Sequence, residues 1–496
     1  MKTGEGSDTG LEDWQPRHRH EAALQEAEAL LKAAPHAIDA RFVRAQLLME
    51  LGRTEEAKDA YLELLTLSPS HSGALNNLGA LLHATGFTAA ARTCYAQAAK
   101  QHPDDPMGHV NLANSFRQAG EGDLARKHYE IALRAAPDHA QAHQGLAFLL
   151  LEQGDEKGAE RHRRLGFQGR AVQSWPYRGR RPPIPVLLLA SAMGGNAPLS
   201  PFLDDHVYQV SMIYTEFYDL NSQLPPHRLL INAIGDADLC GPGLDIAGKI
   251  SALSTAPLLN PPEAVLKTGR IANARRLGRI PDVITPGILC LPREILSAPG
   301  SLERLAAQGI ALPFLLRTPG FHNGRNFFRV GNCDELTAAL AVLPGRDITV
   351  MQFLDGRDAD GKIRKYRIMF IDGRIYPLHA AISRHWKIHH VTAEMADNSE
   401  HRTEEEAFLT AMPEVLGKRA MQALRGIGEA LGLDYAGADF SLDAQGRILL
   451  FEANAPMVVQ PPDPDDRWAY RRAPVDRIIR AAVGMIAGRA AVIPPC

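Results

Sequence analysis

Long apolar runs are missing from this sequence. No uninterrupted apolar stretch approaches the ~18 residues that a membrane-spanning helix requires, and residues 1–20 are polar and acidic, without the apolar segment of a secretory leader. Charge of one sign is not in excess either, because the formal net charge is −3 at pH 7. We therefore expect a cytoplasmic protein that binds neither nucleic acid nor membrane, with a disordered tail over residues 1–20.

Cysteine is scarce and has no pattern. The five cysteines share no short spacing, so they form neither a zinc motif nor a disulfide framework, and their odd number favours reduced thiols. No Ser/His/Asp or Cys/His arrangement stands out, so covalent catalysis by the protein is not indicated. The remaining composition is ordinary: 496 residues, 45% hydrophobic and 22% charged, provide for two to four domains.

An internal repeat of 34 residues fills the first third of the chain. Prolines, glycines and alanines recur at this step in four copies and tyrosines in three: Pro35, Pro69, Pro103 and Pro137; Gly52, Gly86, Gly120 and Gly154; Ala57, Ala91, Ala125 and Ala159; Tyr61, Tyr95 and Tyr129. This period, with a glycine turn between two helices, is that of the tetratricopeptide repeat (TPR). Full repeats are expected at 38–71, 72–105 and 106–139, with a half repeat before them and a degenerate one after, within a repeat domain at 21–165.

Stacked helix pairs of this kind form a concave groove that often holds a peptide or a partner domain. Asn76, Asn77 and Asn111 are expected on the first helices, which line the groove, where their amides can hold an extended backbone. A groove that packs only against the rest of this chain is an equal alternative. The sequence thus predicts a possible protein or peptide partner without naming it.

After the repeats, residues 166–185 are rich in proline, glycine and arginine and are expected to form a solvated linker. Apolar strands at 186–190 and 229–231 and a helix at 243–254 then predict a small α/β domain with a parallel sheet over 186–262. Asp236 and Asp238 follow the second strand and either contact substrate or serve in helix capping or turn formation. Residues 243–250 approach a phosphate-binding P-loop, but Ile250 stands where that loop needs a hydroxyl.

A predicted hairpin at 435–451 carries the strongest chemical signal. Residues 443–446 have turn composition, Asp439 lies on the first strand, and Glu452 and Asn454 end the second. Glu452 and Asn454 are two apart and so share a face, and pairing around the turn places Asp439 across from them. Two carboxylates and an amide oxygen suit Mg²⁺ that also holds nucleotide phosphates. A surface hairpin with scattered acids is the alternative.

This hairpin resembles the metal-binding end of the ATP-grasp superfamily, in particular its RimK-like and D-Ala-D-Ala-ligase-like members. The resemblance covers roughly residues 185–460 and rests on Asp439 and on the run 451–456. It implies a multidomain chain: an all-α TPR solenoid, an α/β pre-ATP-grasp domain at 186–262 and an α+β ATP-grasp domain at 263–496. It also implies ATP and Mg²⁺ as cofactors, with Asp439, Glu452 and Asn454 as metal ligands.

The same resemblance assigns nucleotide contacts to an arginine in helix 263–277, an arginine after strand 310–316, a glycine-rich flap at 318–328 and a hinge after strand 350–354. The residues are Arg270, Arg317, Gly320, Gly324, Gln352, Phe353, Leu354 and Asp355. Family members usually have lysine where Arg270 and Arg317 stand; arginine is always cationic and can bind phosphate bidentately. A weakened nucleotide site is the alternative.

Arg367 and Arg384 stand where related ligases direct arginines towards phosphate or the substrate carboxylate, with structural salt bridges as the alternative. Arg367 lies in a predicted hairpin of strands 363–371 and 374–382. His385, His389 and His390 are expected to contact substrate rather than bind a dedicated metal. Residues 403–432 are expected to form a helix pair that packs in the core.

The resemblance implies an ATP- and Mg²⁺-dependent ligase that joins a small-molecule or peptide carboxylate to an amine or thiol through an acyl phosphate. The second hypothesis is a TPR scaffold whose ATP-grasp fold binds nucleotide but is catalytically weak. The third is a phosphotransferase, which differs from the first in yielding a phosphate ester instead of an amide.

Overall fold

The structure, a computed structural model, describes residues 15–318, 326–388, 394–460, 462 and 465–491. The chain divides into two compact units. The first contains the chain up to Pro185 together with Asp204–Ser211, and the second contains Val186–Leu203 and everything from Met212 onward. None of the helices in the described ranges is both long and apolar enough to cross a membrane. The domain boundary expected at residue 262 stays a prediction.

The first unit is an all-α solenoid built from antiparallel helix pairs. Its described helices are α1 (Gln15–Ala33), α2 (Ile38–Glu50), α3 (Thr54–Leu67), α4 (Ser72–Ala84), α5 (Thr88–Gln101), α6 (Pro106–Gln118), α7 (Gly122–Ala135), α8 (Ala140–Glu152) and α9 (Glu156–Phe167). The three predicted full repeats correspond to the pairs α2–α3, α4–α5 and α6–α7. The copy expected to be degenerate is a fourth helix pair, α8–α9.

The residues of the 34-residue period explain these pairs. The turn between the two helices of each pair contains a glycine at positive φ, from 72° at Gly52 to 90° at Gly86, a conformation that is strained for residues with a Cβ. On α4, a Cβ at Gly79 would lie only 2.5 Å from the ring of Tyr95, so glycine there permits the close approach of α5. The ring of Tyr95 fills the space between neighbouring helices and is buried.

The groove asparagines of the prediction bind other side chains of the solenoid. Asn111 Nδ2 donates to Asn76 Oδ1 at 3.0 Å, which joins α6 to α4. Asn77 Nδ2 donates to the hydroxyl of Tyr61 at 3.0 Å, which joins α4 to α3. Asn76 is buried. These amides therefore hold neighbouring repeats together in the described structure.

Strand β1 (Val172–Ser174) belongs to the first unit, and β3 (Tyr208–Tyr214) crosses the boundary between the units. In the second unit, β2 (Ile184–Ala190), β4 (Leu229–Asn232) and β5 (Leu258–Leu259) pair in parallel, in that order. Helix α10 (Gly241–Ala252) connects β4 to β5. The residues of the apparent P-loop, 243–250, lie within α10 and form no phosphate-binding loop.

A second sheet of the same unit is antiparallel, with the strand order β7–β10–β8–β9. Its strands are β7 (Ile288–Pro292), β8 (Phe314–Arg317), β9 (Phe327–Val330) and β10 (Asp347–Gln352). The helices beside it are α13 (Arg293–Ser297), α14 (Ser301–Ala307) and α15 (Cys333–Val342). Buried Leu, Val, Ile and Phe side chains from both layers form one core cluster.

The third sheet has the order β12–β11–β13–β14–β6 and is antiparallel except for the β14–β6 pair. Its strands are β6 (Val283–Ile284), β11 (Ile363–Ile371), β12 (Arg374–Ser383), β13 (Tyr435–Leu442) and β14 (Ile448–Asn454). The remaining α-helices are α11 (Pro262–Leu266), α12 (Arg270–Leu277), α16 (Ser399–Thr410), α17 (Met412–Leu431) and α18 (Arg472–Ala491). Three short 3₁₀ helices are Ser200–Phe202, Thr215–Phe217 and Asp466–Arg471.

Both predicted hairpins of this sheet are confirmed. At the β11–β12 turn, Asp372 and Gly373 have φ of 47° and 73°, as a type I′ turn requires. The helix pair predicted at 403–432 is also confirmed as α16 and α17, which contribute Leu416, Leu424 and Ile427 to the core.

Two predicted elements are wrong in extent. The helix expected over 263–277 is two helices, α11 and α12, because the chain leaves helical geometry at Gly269 (φ −51°, ψ 135°). The strand expected over 310–316 begins only at Phe314. Pro313 has no N–H for a ladder, and the N–H of Ala311 donates to Gln352 Oε1 at 2.8 Å instead of to a neighbouring strand.

Candidate functional site

Three adjacent strands of the third sheet bring charged side chains into one row. Arg367 on β11 pairs with Asp439 on β13, and Asp439 pairs with Glu452 on β14. Residues directly opposite in neighbouring strands point to the same face. Two positions further along β14, Asn454 lies opposite Gly437 on that face. The predicted convergence of Asp439, Glu452 and Asn454 is therefore the arrangement in the structure.

Asp439 is the most enclosed member of the row, with only 2% of its surface exposed. Arg367 binds both carboxylate oxygens, with Nη2 2.8 Å from Oδ2 and Nε donating to Oδ1. Lys365 Nζ lies 2.6 Å from Oδ2. Burial alone would raise the pKa of this carboxyl group, but Lys365 and Arg367 lower the pKa far below its usual range. Asp439 is thus a carboxylate at any physiological pH.

Glu452 and Asn454 bind each other, but the amide oxygen of Asn454 has no donor among the described residues. Glu452 Oε1 accepts from Arg270 Nη2 at 3.2 Å and from Asn454 Nδ2 at 2.8 Å. Asn454 Oδ1 is buried and has no hydrogen-bond partner among the described residues. A buried acceptor without a donor is costly, and a hard cation satisfies such an oxygen. This amide oxygen and the two carboxylates beside it therefore fit Mg²⁺.

A small cleft, partly open to solvent, is lined by Glu452 and Asn454 of this row. Its lining residues come from the loop after β4, from α12 and from β14, and they include Asp236, Asp238, Arg270, Glu452 and Asn454. Asn273 on α12 donates Nδ2 to the carbonyl of Ala453 at 2.7 Å, which holds the α12 wall against β14. The α12 and β14 walls of the cleft are therefore joined directly.

Asp236 and Asp238 make local backbone contacts and also line the cleft. Asp236 Oδ1 accepts from the N–H groups of Asp238 and Leu239, both at 3.0 Å, and so forms a turn ahead of α10. Asp238 Oδ2 accepts from the N–H of Arg270 at 3.0 Å and so caps the start of α12. The structure thus shows the predicted alternative of turn formation for Asp236 and of helix capping for Asp238, while their position in the cleft wall leaves substrate contact a prediction.

Arg317, at the end of β8, interacts electrostatically with the charged residues that line this cleft. Burial, followed by repulsion from Arg270, lowers the pKa of its guanidinium to about 10, while Glu452, Asp236 and Asp238 act in the opposite direction. Arg317 remains cationic at neutral pH. Arg270 and Arg317 therefore face the same group of carboxylates.

The predicted hinge residues, from Gln352 at the end of β10 to Asp355, each contact different parts of the structure. Gln352 binds within the second sheet, where its Oε1 accepts from Ala311 and its N–H donates to Gly287 O at 2.8 Å. Asp355 is exposed and pairs with Arg357 at 2.6 Å. The guanidinium of Arg329 lies 5.3 Å from the ring centroid of Phe353.

Leu354, between Phe353 and Asp355, is half-buried. The ring of Trp386 lies edge-on to Phe353 at a centroid distance of 6.4 Å. Arg329 and Trp386 thus both contact the ring of Phe353, and contact of these residues with a nucleotide base stays a prediction.

The remaining predicted residues are less defined by the structure. Arg384 follows β12 and is exposed, as is His385, whose Nε2 lies 3.7 Å from Glu394. Gly320, Gly324, His389 and His390 lie outside the described residues.

Lys365 and Asn273 are the two site residues that the sequence analysis missed. The signal for Lys365 was available, because it lies two residues before Arg367 on an alternating strand and so shares its face. Asn273 could not have been found, because its role depends on how α12 packs on β14. A separate cluster in the first unit, Asp204, Asp205 and His206, brings three possible metal-binding atoms together. Arg178 already binds the carboxylate of Asp205 there.

Two family profiles match the repeat region. The profile for the Psidin N-terminal TPR repeats region matches residues 13–121, and a tetratricopeptide repeat profile matches residues 110–162. The N-terminal part of the chain is therefore a TPR array, as the 34-residue period predicts. A search among curated proteins finds no match to the sequence.

Among solved structures, the chain is similar to MamA 41-end from Desulfovibrio magneticus RS-1, with 20% identity and a TM-score of 0.27 over 30% of this chain and 86% of that one. It is similar to Pseudomonas aeruginosa pilF, with 21% identity and a TM-score of 0.29 over 32% and 71% of the two chains. It is also similar to YrrB, described as a TPR protein with an unusual peptide-binding site, with 16% identity and a TM-score of 0.26 over 31% and 79%.

Proposed function

We propose that the second unit is an ADP-forming ligase that joins a carboxylate to an amine or thiol with ATP and Mg²⁺. The observation that carries the proposal is the row of Asp439, Glu452 and Asn454 beside a cleft that Arg270 also lines. Carboxylate and amide oxygens suit Mg²⁺, and arginines suit phosphate oxygens. The resemblance of this region to ATP-grasp enzymes adds the expectation of acyl-phosphate chemistry.

In this proposal, the substrate carboxylate attacks the γ-phosphorus of ATP, the bond from that phosphorus to the ADP oxygen breaks, and an acyl phosphate forms. The amine nitrogen or thiol sulfur then attacks the acyl carbon, and phosphate leaves as the nucleophile gives up a proton. Asp439, Glu452 and Asn454 would hold Mg²⁺, which when bound neutralises charge on the β- and γ-phosphates. Arg270 and Arg317 would bind phosphate oxygens and so orient the γ-phosphate for attack.

The TPR array extends the proposal to a partner. Repeat solenoids commonly bind peptides or proteins in their concave groove, so a peptide is an attractive substrate or recruiting ligand for the ligase. A free amino acid or another small acid is equally compatible with the cleft. This step rests on the presence of the repeats in the same chain and not on residues of the site.

One observation favours the second candidate function, a TPR scaffold whose nucleotide site is catalytically weak. Both oxygens of Asp439 are already bound by Arg367 and Lys365, so this ligand is not available to a metal without rearrangement. The family profiles also match only the repeat region. A phosphotransferase remains the third candidate and differs in its product.

Calorimetry of ATP binding in the presence of Mg²⁺ tests the proposal. We compare the wild type with Glu452→Ala and with a control, Glu303→Ala, which removes an exposed carboxylate from α14 in the same unit. Wild type and control are expected to bind ATP equally, and Glu452→Ala at least about tenfold more weakly, a difference of about 1.4 kcal/mol.

Failure of the wild type to bind millimolar ATP would refute the nucleotide site and leave the scaffold function. If ATP binds, ADP release is measured with candidate acids and amines. An amide product that requires both substrates supports the ligase, a phosphate ester supports the phosphotransferase, and ATP binding without any turnover supports the weak scaffold.

A further inference from the structure

Asp439 is engaged by two cations of different character. Arg367 holds it with a fork of two nitrogens, one on each carboxylate oxygen. Lys365 makes a single contact, from Nζ to Oδ2 at 2.6 Å, and its side chain is 22% exposed. A bidentate arginine is fixed in its geometry, whereas a lysine ammonium on a flexible stem can leave without disturbing its neighbours.

We infer that Lys365 occupies the metal-binding oxygen of Asp439 in the absence of ligand and moves to a phosphate group when the metal and the polyphosphate bind together. This inference rests on the proposed function and adds a positioning residue and an order of events to it. Lys365 keeps a free divalent cation away, and its ammonium becomes a phosphate contact once it is displaced.

The charges of the row support this coupling. Lys365 and Arg367 place two positive charges against the single negative charge of Asp439, whereas Arg270 is shared between Glu452 and Asp238. A free divalent cation that approaches Asp439 therefore meets two cations there, and it must also break the contact between Lys365 and Oδ2. A polyphosphate that arrives with the metal brings negative charge and offers the released ammonium a new partner.

The unpartnered Oδ1 of Asn454 shows that this ligand does not have the same obstacle. It is held close to Glu452 by the Nδ2 contact of 2.8 Å and makes no hydrogen bond itself within the described structure. The arrangement therefore combines one oxygen ready for a cation with one that is withheld by Lys365. Removal of the lysine should free the lone pair of Asp439 Oδ2 that Lys365 occupies and so open this oxygen to free metal, while Arg367 keeps its own contacts.

The test measures binding of Mn²⁺ alone, by electron paramagnetic resonance, and binding of ATP with Mg²⁺, by calorimetry. The variants are Lys365→Met, the charge-conserving Lys365→Arg, and the control Lys418→Met, which removes an exposed lysine from α17. Lys365→Met should bind Mn²⁺ alone at least tenfold more tightly than wild type and bind ATP with Mg²⁺ about tenfold more weakly. Lys365→Arg and Lys418→Met should bind Mn²⁺ like the wild type.

The added Mn²⁺ affinity should disappear in Lys365→Met/Asp439→Asn, which assigns it to this row rather than to the group at Asp204–His206. Mn²⁺ affinity of Lys365→Met within twofold of wild type would overturn the inference, as would equal tightening by Lys365→Arg. If Lys365→Met tightens Mn²⁺ binding but no protein binds ATP, the blocking role of Lys365 stands and the proposed nucleotide function fails.

Discussion

Acidification should loosen the third and fourth TPR repeats before the second. Both repeats contain a histidine pair at equivalent positions: His109 with His128 and, 34 residues later, His143 with His162. The two Nδ1 atoms of each pair are 2.9 Å and 2.8 Å apart. His109 Nε2 faces the carbonyl of Pro103 at 3.1 Å and must carry a proton, since a carbonyl only accepts.

In the neutral pair, His109 Nδ1 therefore accepts and His128 Nδ1 donates. One added proton can be accommodated on Nε2 of His128, where the Nδ1 contact is kept, but two charged rings would place N–H against N–H. Burial, and then the neighbouring His109, lowers the pKa of His128 to about 4, and burial followed by His143 lowers that of His162 to about 4. Lys127 and Arg161 act in the same direction.

The sign and size of the effect follow from linkage. Because the folded-state pKa lies below the unfolded value of 6.5, the unfolded chain binds more protons, and stability that is complete above pH 6.5 is lost as the pH falls towards 4. At pH 5, a pKa difference of this size corresponds to about 2 kcal/mol for each ring. The rings are only half-buried, so solvent screening reduces this to about 1 kcal/mol each, or about 2 kcal/mol for both.

Hydrogen exchange followed by mass spectrometry measures this locally. After correction for the intrinsic pH dependence of exchange, the opening free energy of α6–α9 should fall by about 2 kcal/mol between pH 7.5 and pH 5. Helices α4 and α5 are an internal control, because Leu75 and Cys94 occupy the equivalent positions. The substitutions His109→Leu and His128→Cys copy that repeat and should remove the pH response of their own helix pair. An equal loss in both regions, or a response that survives the substitutions, would refute the reasoning.

Two further predictions concern packing. Gly79→Ala places a methyl group 2.5 Å from the ring of Tyr95, so the free energy of unfolding of the solenoid, measured by thermal unfolding, should fall by about 1–3 kcal/mol. An unchanged unfolding midpoint would mean that the two helices can move apart without cost. Glu405 is fully buried and accepts two hydrogen bonds from Arg471, so Glu405→Ala should cost the second unit about 3–5 kcal/mol in urea unfolding. The exposed neighbour Glu406→Ala should cost less than about 0.5 kcal/mol, and equal effects of the two variants would contradict the assignment of a buried ion pair.

The TPR helices were predictable because every copy of the 34-residue period adds an independent indication of the same packing. The glycines mark the turns, and the tyrosines mark the contacts between helices. The interval from each proline to the next glycine of the period contains the first helix of one pair. The break between α11 and α12 was not predictable from periodicity. It depends on Asp238, which comes from the loop after β4 and caps the N–H of Arg270, so the new helix start is determined by a contact between segments distant in sequence.

The residues of the candidate site were predictable from the sequence, but the register of the β13–β14 pairing that brings them together was not. Counted back from the Leu442–Ile448 pair without interruption, Asp439 would lie opposite Phe451, and Glu452 would lie opposite Ala438. In the structure, Phe440 pairs with Leu450 while Asp439 pairs with Glu452, so Phe451 is the extra residue of a β-bulge. The bulge moves Glu452 and Asn454 to the face of Asp439.

A second irregularity occurs in the same row. The β11–β12 register shifts between Arg367 and Ile368, and Arg367 is the direct partner of Asp439 on β13. Bulges concentrate next to functional sites because they re-aim side chains. The bulge in β14 keeps Ala453 and Ala455 in the core with Ile448 and Leu450, and it turns Glu452 and Asn454 to the face of Asp439. One backbone irregularity therefore serves both the core and the polar row, and this double role supports the proposal that the row is the site of the ligase reaction.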